Sequence, residues 1–224
     1  MHLRWLDTPP EMVAVQVDLT ITDPPTTSDL YFWALQASFL DADRSNGAGH
    51  LGLQSISGHP GNTAVNWGGY REGGGELPGT DSGLPSEKNN PHTRDFSWTP
   101  RTTYRLRIER GGTGWKGSVT DIERNETTTV RELLCPGTRL GSIVMWSEVF
   151  APCEGPSAAV EWSNPLAITA DGSHAVTSVK LSYQRVDDGG CTNTTASVIE
   201  NGIEQRTAAE RLAPHGHVLH FGSS

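Results

Sequence analysis

Apolar and polar residues alternate with a period of two along most of this chain. Val13, Val15, Val17, Leu19 and Ile21 occupy every second position and stop at a turn that begins with Asp23 and two prolines. Alternation of this kind gives each face of a strand its own set of side chains. Residues 31–40 (YFWALQASFL) and 49–54 (GHLGLQ) keep the same rhythm, and the short Asp/Gly/Asn-rich stretch between them reads as a hairpin turn. Further strands are predicted at 64–70, 94–98, 103–109, 115–121, 128–134, 140–150, 158–162 and 176–186. Only 204–212 has helical composition. Residues 71–91 are rich in Gly, Pro, Ser and Asn with almost no apolar spacing, which predicts a long irregular loop with a functional or mobile character.

Ten or more strands and essentially no helix predict an all-β protein, an antiparallel double-sheet β-sandwich or jelly roll. No repeat of fixed period appears, which argues against a propeller. One domain over 1–224 is expected, with a loosely ordered C-terminal tail. The 25 glycines and 14 prolines hold the apolar share to 35%, yet seven tryptophans supply core material, so the chain does not read as disordered.

Charge and cysteine content narrow the partners. Against 17 Lys and Arg stand 26 Asp and Glu, a net −9 without a basic cluster, which argues against nucleic acid and anionic membranes. No apolar run is long enough to span a bilayer. The first residues lack the apolar segment of a secretory signal, so a cytoplasmic location is expected, or a secreted one if the N-terminus is truncated or processed. Cys135, Cys153 and Cys191 have no metal-binding spacing. Cys153 and Cys191 fall in loops, where they pair if the protein is exported and stay reduced if it is not.

The run YFWALQ at 31–36, the run GHLGLQ at 49–54 and an aromatic strand at 65–69 together resemble the core of an uncharacterised bacterial family of concanavalin A-like sandwich proteins. The later order, with a strand at 103–107, one at Trp115 and one at Trp146, is similar too. The resemblance covers roughly residues 10–165 and rests on short motifs. It implies the sandwich fold and no particular activity.

On a curved sandwich, the concave sheet is where a ligand would lie. Strand phase puts Val144, Trp146, Glu148 and Phe150 on one side, and Ile143, Met145, Ser147 and Val149 on the other. Glu148 beside Trp146 is the candidate catalytic carboxyl, because burial against an aromatic raises a carboxyl pKa. Gln36, Gln54, Arg107 and Trp146 are candidate ligand-binding residues that would converge with it on one groove. The competing reading gives Gln36 and Gln54 structural roles and pairs Glu148 with an arginine. Trp146 would stack on a sugar while amides and charges take its hydroxyls. The first expectation is therefore a module that binds a carbohydrate or polyol.

An enzyme on the same scaffold, a glycoside hydrolase or polysaccharide lyase, is the alternative, and a non-catalytic interaction protein is a third. The Glu-x-Asp-x-x-Glu string of glucanases on this fold is absent, which favours binding. Glu148 and Glu161 are the one strand-borne carboxylate pair that a glycosidase would use. No cofactor or metal is expected. The turns at Asp41–Asp43 and Asp187–Asp188 could offer oxygens to calcium but match no calcium loop, and the oligomeric state stays open.

Overall fold

The computed structural model describes residues 1–42, 44–86 and 90–222. Among the described residues, sixteen strands follow one another: β1 (His2–Trp5), β2 (Ala14–Asp23), β3 (Tyr31–Asp41), β4 (Arg44–Ser55), β5 (Thr63–Arg71), β6 (Thr93–Asp95), β7 (Thr103–Arg110) and β8 (Trp115–Asp121), then β9 (Glu126–Leu133), β10 (Arg139–Val149), β11 (Ala159–Thr169), β12 (Gly172–Ala175), β13 (Ser178–Ser182), β14 (Thr194–Ile199), β15 (Gly202–Thr207) and β16 (Val218–His220). They form two antiparallel sheets. The first has the order β16-β13-β1-β10-β3-β4-β5-β6. The second runs β14-β15-β11-β2-β7-β8-β9, with β12 paired to β11. The β-sandwich fold class is as the alternation predicts.

The hairpin at 31–54 is real and central. β3 and β4 pair from Tyr31↔Ser55 to Asp41↔Arg44. Trp33, Leu35, Phe39, Leu51 and Leu53 point inward and are fully buried. The glycines of the GHLGLQ segment make room for this packing. A Cβ on Gly49 would lie 2.7 Å from the Trp67 ring, and one on Gly52 only 1.9 Å from the Trp33 carbonyl oxygen. Between the sheets, Phe39 stacks on Trp115 with centroids 5.2 Å apart, and the Trp67 indole donates to the Trp115 carbonyl at 3.2 Å.

Three expectations need correction. Residues 204–212 do not form a helix: β15 takes Gly202–Thr207 and pairs with β14 and β11. Helical propensity lost there because Ile203 and Gln205 alternate into the core, at 0% and 1% exposure, and cross-strand pairing outweighs a local preference. The C-terminal segment is not loose at Val218–His220, which form β16 and pair with β13. Trp98 lies outside any strand, buried, with its indole donating to the Gln54 carbonyl at 2.9 Å.

Cys153 and Cys191 form a disulfide, and Cys135 is a buried free thiol. Among the described residues, no helix is long and apolar enough to cross a membrane.

Candidate functional site

Outward residues of β10, β3, β4 and β5 form rows across the first sheet. One row reads Glu148, Phe32, Gln54, Ala64 and Asp95, each opposite the next in register. The next holds His2, Trp146, Ala34, Gly52 and Asn66, and a third holds Val144, Gln36, His50 and Gly68. Phe32, Ala34, Val144 and Trp146 make a small apolar cluster separate from the main core. It forms because these four residues take the outward phase of strands whose inward phase already fills the interior.

Gln54 and Glu148 therefore flank Phe32 on a single row, about 10 Å apart at their Cα atoms by strand spacing. Glu148 is exposed. Partial burial raises its carboxyl above the ordinary carboxylate range, and the amine of Met1 pulls it back in part. Gln54 is 4% exposed, and its side-chain oxygen Oε1 is buried without a partner. A buried acceptor left unpaired costs about 1–3 kcal/mol.

Trp146 and Gln36 lie on the same face. Trp146 is 7% exposed and meets Phe32 edge-on at 4.8 Å and His50 at 5.9 Å. Its ring offers no open face for a sugar to stack on. Gln36 sits two rows from Glu148, about 13 Å along the strand by the rise per residue. Arg107 does not join them. It lies on β7 in the second sheet, bonded to Gln16 at 2.7 Å and Glu109 at 2.8 Å. Strand phase says which side of its own strand a residue takes and is silent on which sheet that strand enters.

The same limit undoes the glycosidase pair. Glu161 sits on β11 between Thr20 and Glu204, with Val160 and Trp162 turned inward. Glu148 and Glu161 thus point outward from opposite sheets, and sheets packed about 10 Å apart put the two carboxyls beyond the reach of a shared sugar.

A second polar cluster occupies the β5 side of the first sheet's face. Arg131, only 4% exposed, donates to His92 Nδ1 at 2.8 Å, and His92 Nε2 lies 2.9 Å from a Glu76 carboxylate oxygen. With Nδ1 accepting, the proton sits on Nε2 and is donated to Glu76. A cavity of about 180 Å³ beside them is lined by His50, Asn66 and Tyr70 as well. Burial, with His92 nearby, lowers His50 to about 4. Asn66 donates to Thr93 while its own Oδ1 stays unpaired. The alternation could have flagged His50 and Asn66, since both hold the outward phase. Nothing periodic marks His92 in its loop.

Among the described residues, no group of three or more side chains is placed to hold a metal ion. Asp43 of the first acidic turn lies outside the described residues. In the second turn, Asp187 is exposed and paired with Arg185 at 3.2 Å.

Fold and face together define a β-sandwich protein with a polar, partly unsatisfied outer sheet surface. Comparison with known proteins adds to the fold. No family model matches the chain, and no curated protein is similar to it. Among solved structures, the chain resembles a scytalido-glutamic peptidase bound to a peptide-based transition state analog. The TM-score is 0.50 at 10% identity, over 92% of this chain and 97% of that one. SCP-B, a member of the eqolisin family of peptidases in complex with the tripeptide Ala-Ile-His, has a TM-score of 0.47 at 10% identity, over 92% and 96% of the two chains. At such identity the likeness with the first bears on the fold alone.

Proposed function

We propose that this protein is a hydrolase that cleaves peptide bonds on the outer face of its first sheet, with Glu148 as acid and base and Gln54 as its amide partner. The observation that carries the reading is the row Glu148–Phe32–Gln54, which puts a carboxyl of raised pKa and an amide with an unpaired oxygen on the same face, two strands apart. Ionised Glu148 takes a proton from a water whose oxygen attacks the scissile carbonyl carbon. Gln54 Oε1 accepts the water's other hydrogen, and its Nε2 donates to the oxyanion that forms. Glu148 then returns the proton to the leaving nitrogen as the C–N bond breaks. The structural neighbour is itself a peptidase named for a glutamate and bound to a peptide-based analog, which supports the choice of peptide over glycoside. The Cys153–Cys191 disulfide supports an oxidising, exported setting.

The test is digestion of casein across acidic pH by the wild type, Glu148→Gln and Gln54→Ala, with circular dichroism to verify the fold. Wild-type protein should cut casein, Glu148→Gln should lose essentially all turnover, and Gln54→Ala should lose about 10²–10³-fold, as for one oxyanion donor. Turnover that survives Glu148→Gln would end the reading. Carbohydrate binding on the same face is the second reading, favoured by Tyr70, which is 56% exposed with its ring 6.2 Å from His50. A folded protein that cuts no peptide but is stabilised by a saccharide would select it.

A further inference from the structure

A cavity of about 90 Å³ opens beside Glu148, on the side away from Gln54, where β10 ends. Its walls include Tyr31, Val149, Pro152, Tyr183 and the Cys153–Cys191 disulfide. These walls are held from several directions. Asn193 donates to the Cys153 carbonyl at 2.6 Å, and Arg211 donates to the Cys191 carbonyl at 2.7 Å while its guanidinium lies 3.7 Å from the Tyr183 ring centroid. The cross-link ties the loop after β10 to the loop before β14, so the space is preformed.

Asn193 supplies a second, independent sign of a ligand. It lines the cavity, its Nδ2 is used on Cys153, and its Oδ1 is buried without a partner. Such an oxygen calls for a donor, and a main-chain N–H provides one. The apolar part of the lining calls for hydrocarbon. A cavity of about 150 Å³ accommodates benzene, so this smaller one suits a branched side chain of about four carbons rather than an aromatic ring.

We infer that this cavity is a specificity pocket that takes a branched aliphatic side chain of the substrate, with Asn193 Oδ1 accepting that residue's main-chain N–H. The inference rests on the hydrolase reading for its view of the ligand as a peptide. Glu148 is shared between pocket and reacting row, so the residue in the pocket lies next to the bond that is cut.

The experiment is calorimetric titration of the full chain, disulfide intact, with N-acetyl-leucinamide and N-acetylglycinamide. The leucine amide should bind about tenfold more tightly, the effect of burying one isobutyl group. Ala151→Phe fills the cavity from one wall, and Gln184→Trp fills it from an exposed position on another, so a folding failure in the first leaves the second. Either should erase the difference. Equal binding of the two amides, tighter binding of methyl glucoside, or a difference that survives filling would overturn the pocket. Discrimination without any casein cleavage would keep the pocket and end the hydrolase reading. Cleavage without discrimination would do the reverse.

Discussion

Gln205 joins the two sheets through the core, and its removal should be the most damaging polar substitution in the sandwich. Its side-chain oxygen accepts from Ser147 Oγ at 2.6 Å and from the Trp162 indole at 2.9 Å, and its Nε2 donates to the Met1 carbonyl at 3.3 Å. Ser147 lies on β10 in the first sheet, and Trp162 and Gln205 lie on β11 and β15 in the second. Gln205→Leu keeps the volume but strands two buried donors. Each stranded group costs about 1–3 kcal/mol. The serine hydroxyl can turn to another acceptor and the indole cannot, so the sum should fall near 3 kcal/mol. For a chain of this size that lowers the melting temperature by about 6–12 °C. Urea unfolding with the disulfide intact measures the loss directly. Ser147→Ala alone should cost less than about 1.5 kcal/mol, since the oxygen keeps the indole. The double variant should cost less than the two singles together, because the stranded hydroxyl is gone. A loss under about 1 kcal/mol for Gln205→Leu, or strict additivity, would refute the account.

Two further outcomes follow from the turns. Glu132 is lowered to about 2 by hydrogen bonds from Thr113, through its backbone and then its side chain, with Gly112 and Gly114 adding to them. A carboxyl depressed in the folded state contributes stability that is complete above the unfolded pKa near 4.5 and fades as pH falls toward 2. Glu132→Gln should therefore destabilise by about 1 kcal/mol at pH 7, after allowance for solvent screening, and by almost nothing at pH 2; denaturant midpoints at both pH values check this. The Cys153–Cys191 link closes a separation of 38 residues, so Cys153→Ser with Cys191→Ser should cost up to about 4 kcal/mol by loop entropy, which equilibrium unfolding would show.

The strands were legible because each buries one face. Trp33, Leu35 and Phe39 keep the inward phase of β3 and Phe32 keeps the outward one. The phase of β10 placed Glu148 and Trp146 together for the same reason. What alternation does not carry is the order of strands in a sheet. Arg107 and Glu161 have an outward phase as clear as that of Glu148, and both belong to the other sheet. β15 was missed because E-Q-R-T-A-A-E-R favours a helix when read without its neighbours. Arg131 reaches His92 across 39 residues, a separation that no local pattern records.

The two outer faces differ in how fully their polar side chains are paired. On the second sheet the polar side chains satisfy one another. Asp18 accepts from Arg105 and Asn164, Gln16 and Glu109 accept from Arg107, and Arg206 bridges Glu204 and Asp23. Among the described residues, no buried side-chain polar atom on that face lacks a partner. The first sheet leaves Gln54 Oε1 and Asn66 Oδ1 unpaired at the outward positions of β4 and β5. A protein that can saturate one sheet can saturate the other, and orphaned acceptors cost stability. Both atoms lie on the face where hydrolysis is proposed, Gln54 in the row of Glu148 and Asn66 in the row beside it.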